Sequence, residues 1–457
     1  MSKKSSKQKI KHKSKSNFLR PKTKNTTPVV QDQNKYSTIS KEKSLLGDNL
    51  DKFVKHLESL FRSVKLVMHI VEVTIKSTNI ELDTFLKKHA KSEKEDSGSI
   101  SYLINIENLA EAERKFRDAE TASLSVKILP RSFLVTLVSL YDSYLYKLIF
   151  TIYSLKPELL NISEKQIQYS KLSEFTSIES ARDYLIEKEV ESVLRKNHAE
   201  QFKWLEKIIS IPLRDGLDIW SEFIEITERR NLFVHCDGIV STQYIEMCKI
   251  HGADLDKKCA AGDELTVKPD YFSSAYNCIF EIGVKLSHVI WRKLLPDDRK
   301  KADRNLLLII YHLLFYGHYS LAKTLSVFAT NEIKKYSSDE IRRMFIINKA
   351  IAHKWQDDEK GCKEIIESED WGACNDKFKI AIAVLSDNFS TATKIMHRVG
   401  NSGLIRKSDY RDWPLFNKFR KSSEFQEAYK KIFNESFMDF ENYEDSLKNS
   451  EEDAVKN

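Results

Sequence analysis

Apolar residues recur along most of the chain at the three- and four-residue spacing of an amphipathic α-helix. The clearest stripe lies between residues 48 and 91 and consists of Leu50, Phe53, Val54, Leu57, Leu60, Phe61, Val64 and Val67. Positions i, i+3, i+4 and i+7 share one helical face, so this stretch predicts a helix that buries one side. We expect order to begin near Leu45 and to be interrupted at residues 91–99, where Ser, Lys, Glu and Gly cluster.

The next segment predicts two helices, over residues 108–126 and 131–155, because Leu129-Pro130 suits a helix start. Residues 131–155 are apolar around nearly the whole circumference, which is typical of the central helix of a bundle. Asp142 lies within this apolar run. Because a buried carboxylate is costly without a partner, we expect Asp142 to have one.

Further helices follow in the same manner. We predict helices over residues 179–210, 216–227 and 271–295, a turn at Asp237-Gly238, and a polar loop over 252–270. Pro296-Asp297-Asp298 ends the last of these helices, and we place a domain boundary there.

The C-terminal third repeats weakly as three helix pairs, over residues 306–328, 341–366 and 378–396. Each second helix carries a small residue, Ala322, Cys362 or Ala392, between larger residues at helical spacing. A small residue lets neighbouring helices approach closely, as stacked helical hairpins require, and the offsets of about 40 and 30 residues fall in the solenoid range. The segment resembles a short tetratricopeptide-type array, with residues 412–416 and 425–429 as its closing helices.

Composition supports an all-α fold, since 12 Gly and 8 Pro in 457 residues leave few helix breakers. The net charge of +7 resides in a tail, because residues 1–24 hold ten Lys or Arg and no acid. We predict a disordered basic tail over 1–44, a helical bundle with an N-terminal extension over 45–298, helical repeats over 299–436, and an acidic disordered tail over 437–457. The basic tail is either a solubilising extension or a polyanion-binding arm.

Six scattered cysteines without a CxxC pair favour reduced thiols and a cytoplasmic protein, and the longest apolar runs are too short for a membrane span. Cys248-x-x-His251 with Cys259 resembles part of a zinc site but lacks a fourth ligand, so we predict no metal and no cofactor.

Candidate chemistry lies in Arg230-Asn231-Leu232-Phe233-Val234-His235. Arginine provides a permanent charge and a donor fork for phosphate oxygens, and histidine exchanges protons near neutral pH. Together these groups suit RNA cleavage, in which a base deprotonates the ribose 2′-hydroxyl and a cation stabilises the charge that develops on phosphorus. The alternative is a purely structural role, in which the Arg/His cluster stabilises the negative end of a helix dipole.

The spacing within this segment also sets a geometric condition. Asn231 lies four residues before His235 and so shares its helical face, where it could orient the imidazole. Arg230 lies about 140° from His235 on an ideal helix. The pair can therefore converge only at a helix end, at a bend, or across two copies of the segment.

The segment, with Arg229 before it and Asp237-Gly238-Ile239-Val240 after it, resembles the R-N-x-x-x-H signature of HEPN domains. The helix that carries Tyr141-Asp142-Ser143-Tyr144 resembles an earlier core helix of that family, in which an acid commonly lies. The resemblance covers about residues 100–298.

The resemblance implies an α-helical bundle that dimerises through the bundle and brings two motifs together. It implies a metal-independent endoribonuclease that leaves a 2′,3′-cyclic phosphate and a 5′-hydroxyl, as in effectors or toxins of prokaryotic antiviral defence. Arg230 and His235 would then be catalytic, with Asn231, Asp142 and Arg229 in support. The alternative is a non-catalytic protein that binds RNA or protein through the bundle and the helical repeats.

Overall fold

The computed structural model describes residues 44–94, 100–162, 166–255 and 259–437. Almost all of the regular structure in these residues is α-helical, which confirms the all-α prediction. The tails predicted over 1–44 and 437–457 lie outside the described residues, except for Ser44 and Phe437.

Two long helices, α1 (Leu45–His89) and α2 (Leu109–Leu155), pack along each other as an antiparallel pair. Asn49 near the start of α1 donates to the Thr151 hydroxyl near the end of α2, at 3.0 Å. The break predicted at 91–99 coincides with a two-stranded antiparallel hairpin, β1 (Ala90–Lys94) and β2 (Ile100–Ile104), in which Ala90 pairs with Ile104. The strands themselves were not predicted, because β1 is mostly polar and each strand is only five residues long.

The predicted helix start at Pro130 is wrong, because α2 runs through this proline without interruption. Pro130 has no N–H to donate within the helix, and a proline in a helix interior costs about 3 kcal/mol. Both halves of α2 nevertheless bury residues, with Ala112 and Ala119 before the proline and Leu134 and Leu137 after it. The packing of both halves of α2 therefore outweighs the free-energy cost of Pro130 in the helix interior.

The middle of the chain surrounds the second half of α2 with shorter helices and one long one. These are α3 (Tyr169–Leu172), α4 (Ile178–Leu194), α5 (His198–Ile209), α6 (Trp220–His235), α7 (Thr242–Ile250) and α8 (Pro269–Leu294). α8 begins at a first-turn proline and is buried over most of its length, so it forms the centre of the bundle together with α2.

The C-terminal third contains three consecutive helix pairs at the positions that the periodicity predicts, followed by two further helices. They are α9 (Arg299–Phe315) with α10 (Tyr319–Val327), α11 (Asp339–Lys354) with α12 (Glu359–Glu367), α13 (Asp376–Leu385) with α14 (Phe389–Val399), then α15 (Lys407–Asp412) and α16 (Ser423–Phe433). The closing helix predicted over 425–429 lies within α16, whereas residues 414–416 of the one predicted over 412–416 form a 3₁₀ turn. The small residues Ala322, Cys362 and Ala392 are all buried. The likeness to tetratricopeptide arrays stays a prediction.

One hydrophobic core runs from Leu46 in α1 to Tyr429 in α16. It passes the boundary predicted at Pro296, where a short 3₁₀ turn links α8 to α9. One helical stretch, Ile106–Leu155, is long and apolar enough to cross a membrane by length and composition alone, a test that core helices of soluble proteins also pass. Its second half supplies many of the buried core residues.

Candidate functional site

The candidate segment forms the last two turns of α6, and His235 is the final helical residue. The helix ends there because Asp237 and Gly238 both adopt positive φ, at 49° and 81°. The Gly238 N–H donates back to the Leu232 carbonyl at 3.0 Å, which satisfies a carbonyl at the helix end. The turn predicted at Asp237-Gly238 is thus confirmed, and it places His235 at an exposed helix end.

Arg131 of α2 fixes this end of α6. Its Nη1 donates to the Asp237 carbonyl at 3.1 Å and its Nη2 to the Leu265 carbonyl at 3.1 Å. Its guanidinium also lies 5.2 Å from the centre of the Phe233 ring. A Cβ on Gly238 would lie 3.0 Å from that ring, so any other residue would strain the positive-φ backbone and push the Phe233 side chain aside.

Arg229 points into a buried network rather than into a cleft. Its Nε donates to Glu225 at 2.6 Å, and its guanidinium lies 3.9 Å from the centre of the Tyr271 ring. Glu225 also accepts the hydroxyls of Tyr244, at 2.6 Å, and Tyr271, at 2.7 Å. Burial raises the pKa of both tyrosines, and the Glu225 charge adds to the effect, so they remain hydroxyl donors. This network joins α6 to α7 and α8, and it assigns Arg229 a structural contact.

Arg230 and Asp142 form the central contact of the candidate site. Arg230 Nη2 donates to Asp142 Oδ2 at 2.7 Å, across α6 and α2. The other carboxylate oxygen, Oδ1, lies 2.8 Å from Nε2 of His198, the first residue of α5. The expectation that Asp142 has a partner is confirmed, and one carboxylate links three helices.

His198 was not identified from the sequence. It is buried, and its ring lies edge-on to Phe223 at 5.5 Å and near Tyr141 at 6.0 Å. It shares no sequence motif with Asp142 and follows it by 56 residues. The single available signal was that Asn197 is a good N-cap, which predicts that His198 begins a helix but not which helix it faces.

Asn231 and His235 do not join the Arg230 contact. Asn231 Nδ2 lies 3.5 Å from Glu228 one turn back, at the outer limit of a hydrogen bond. His235 is exposed, and its ring has no hydrogen-bond partner within the described ranges. Arg230 and His235 therefore lie on different faces of α6, as the ideal-helix angle of about 140° requires.

Two exposed apolar residues, Val234 and Ile239, flank His235, at 48% and 41% exposure. Leu124 and Ile128 of α2 are also exposed, and they lie two turns and one turn before Arg131.

In the part of the chain that the structure describes, no group of three or more His, Cys, Asp or Glu side chains could hold a metal ion. His251 of the partial zinc pattern instead accepts from Trp220 Nε1 at 3.3 Å, and Cys248 is buried. Comparison with protein-family models, with functionally described proteins and with solved structures gives no match to this chain.

Proposed function

We propose that the protein is a metal-independent endoribonuclease of the HEPN type, acting in the cytoplasm as an effector or toxin of prokaryotic antiviral defence. The observation that carries the proposal is His235, an imidazole at an exposed helix end that has no partner among the described residues, five residues after an arginine that a carboxylate holds in place. An exposed and uncommitted histidine is available for proton transfer, and a fixed arginine can receive a phosphate without reorganising.

The proposed reaction needs no external nucleophile. His235 takes the proton of the ribose 2′-hydroxyl, and the 2′-oxygen attacks the adjacent phosphorus while Arg230 stabilises the added negative charge. The bond from phosphorus to the 5′-oxygen breaks, and that oxygen takes up a proton. The products are a 2′,3′-cyclic phosphate and a 5′-hydroxyl.

A second copy of the chain fits this chemistry. Because Arg230 and His235 lie on different faces of α6, one copy does not present both to the same phosphate. The proposed twofold pairing through the helix end brings the partner subunit's His235 to the phosphate that Arg230 binds, and Val234 and Ile239 offer the apolar contacts for it. RNA and a homodimer through the bundle are therefore the proposed partners, and the helical repeats are proposed to hold a further protein.

The test is RNA cleavage by purified protein in the presence of EDTA, on tRNA and rRNA, with mapping of the product ends. We expect the wild-type protein to release 5′-hydroxyl ends and His235→Ala to lower the rate at least about 100-fold, the contribution expected of a general acid–base group. His397→Ala is the matched control, since His397 is also exposed and lies in the last turn of its helix. Equal cleavage by wild-type protein and His235→Ala would contradict the proposal.

A non-catalytic RNA- or protein-binding module is the alternative, and the ion pair between Arg230 and Asp142 favours it because that pair occupies part of the arginine fork. The two functions differ in the cell. Overexpressed wild-type protein should stop growth and cut RNA if it is a nuclease, and His235→Ala should do neither. RNA that stays intact both in the cell and in the purified reaction, together with unchanged RNA binding by His235→Ala, would support the binding module instead.

A further inference from the structure

A cleft of about 550 Å³ lies away from the candidate nuclease site. Its walls come from the α5–α6 connection over residues 211–217, from one face of α8 over 282–292, from the start of α9, and from the turn after α10 over 328–335. None of the residues of the candidate nuclease site lines it. The cleft therefore lies where the bundle meets the first helix pair of the C-terminal third.

The cleft carries an excess of positive charge. Five basic side chains line it, against the two acids Asp215 and Glu332: Lys285, Arg292, Arg299, Lys334 and Lys335. Lys285 pairs with Glu281 at 2.5 Å. Arg299 is half-buried, and neither it nor Lys335 forms an ion pair with any described residue. At least two of the five cations are thus uncommitted.

The Arg292 guanidinium has one edge without an acceptor among the described residues. Its Nη1 donates to Asp303 Oδ1 at 2.7 Å, and Asp303 is fully buried. Its Nε and Nη2 are buried and find no acceptor among the described residues. These two atoms form one edge of the guanidinium, the edge that binds a phosphate or a carboxylate through two parallel hydrogen bonds. Because buried donors without an acceptor are costly, an anion at this edge would be stabilised.

The rest of the lining suits an apolar body. Leu213, Leu286, Val289 and Ile333 line the walls, and the volume is in the range of small-molecule sites. His288 is fully buried in the same wall, and burial lowers its pKa to about 3, with the Arg292 charge adding to the effect. His288 is therefore neutral near pH 7 and does not contribute to the positive charge.

We propose that this cleft binds a small organic phosphate, with the phosphate on Arg292 and Arg299 and an apolar or aromatic body against Leu286 and Val289. Phosphate fits better than carboxylate, because a phosphate has oxygens for both the Arg292 edge and Arg299, whereas the two oxygens of a carboxylate are used by the Arg292 edge alone. The proposal is independent of RNA cleavage and concerns a different part of the molecule.

The test is calorimetric titration of the full chain with 1-naphthyl phosphate, which joins a phosphate to an apolar body. Inorganic phosphate, 1-naphthol and 1-naphthoate test the head, the body and the carboxylate form separately, and adenosine monophosphate tests a nucleotide body. We expect at least one of the two organic phosphates to bind at least tenfold more tightly than inorganic phosphate, 1-naphthol or 1-naphthoate.

The variants locate the site. Arg299→Ala should weaken organic phosphate binding at least tenfold, whereas Lys300→Ala should leave it unchanged, since Lys300 is the exposed neighbour and does not line the cleft. Arg292→Lys removes the two-donor edge and should weaken binding further. Failure of both organic phosphates to bind, equal affinity for inorganic phosphate, or unchanged binding in Arg299→Ala would overturn the proposal, whatever the outcome of the RNA cleavage assay.

Discussion

At the scale of single residues, Asp142 links three helices of the candidate site. One of its carboxylate oxygens accepts a hydrogen bond from Arg230 in α6, and the other contacts His198 in α5. Replacing it by alanine leaves a cation and a buried ring without their acceptor. Hydrogen bonds to charged groups contribute about 1.5–3 kcal/mol each. Since the Asp142 and Arg230 side chains keep 30% and 20% of their surface exposed, solvent reduces this contribution.

We therefore expect Asp142→Ala to lower the free energy of unfolding by about 2 kcal/mol. Urea unfolding measures this value, with Ser143→Ala, at the exposed neighbouring position, as the control that should change it by less than about 0.5 kcal/mol. A double-mutant cycle with Arg230→Ala isolates the pair. Strictly additive losses would show that the Arg230–Asp142 contact does not stabilise the fold.

The same residues show the limit of sequence reasoning at this scale. The expectation that Asp142 has a partner follows from the cost of burying a charge, and the contact with Arg230 meets it. His198 could not be predicted as the second partner, because helical periodicity identifies a buried face without identifying what packs against it. Arg229 shows the reverse: adjacent arginines look alike in sequence, yet they lie on different faces and make unrelated contacts.

At the scale of elements, the helix positions followed from hydrophobic spacing, because one buried face leaves a periodic record in the sequence. The strands β1 and β2 and the short helices α3 and α7 were not predicted. At Pro130 the predicted helix start is wrong, because this strong local breaker lies inside α2. A proline argues against a helix only through its missing N–H and its steric clash, and packing against α1 on both sides of it is a long-range effect that local rules do not contain.

The end of α6 offers an element-scale prediction, because Gly238 is constrained twice. Its φ of 81° disfavours any side chain, and a Cβ there would come within 3.0 Å of the Phe233 ring and 3.3 Å of Arg131 Cζ. Gly216 has a similar φ of 71°, but no described atom outside its immediate neighbours lies within 4 Å of the position that a Cβ would take. Alanine substitutions at the two glycines therefore separate the free-energy cost of a side chain on a positive-φ backbone from the cost of its steric contact with Phe233 and Arg131.

We expect Gly216→Ala to lower the free energy of unfolding by about 1 kcal/mol, and Gly238→Ala by about 2–3 kcal/mol. Thermal or urea unfolding of the two variants measures the difference. Gly238→Ala should also reduce RNA cleavage if the nuclease proposal holds, because the turn sets the position of His235. Equal losses of stability in the two variants would mean that the Phe233 and Arg131 side chains move away from the added Cβ without a measurable loss of unfolding free energy.

At the scale of the whole molecule, one continuous core joins the bundle to the helix pairs, so a titration in its interior affects the stability of the entire chain. His288 is such a group. Its ring is fully buried and stacks on Trp291 at 5.9 Å. Burial lowers its pKa to about 3 from an ordinary value of 6.5, and the Arg292 charge lowers it further.

The depressed pKa fixes the direction of a pH effect. Below pH 6.5 the unfolded chain binds a proton at His288 while the folded chain does not, so stability falls as the pH falls from 6.5 towards 3. Between pH 7 and pH 5 this one group should remove about 2 kcal/mol of unfolding free energy.

His288→Phe keeps a ring against Trp291 and cannot titrate, so its loss of stability between these pH values should be smaller than that of the wild type by this amount. Urea unfolding of both proteins at the two pH values measures the difference, and His397→Ala, which removes an exposed histidine, should behave like the wild type. The same loss between pH 7 and pH 5 in His288→Phe as in the wild type would show that burial does not lower the pKa of His288, and that its ring takes up a proton in the folded state as readily as in the unfolded chain.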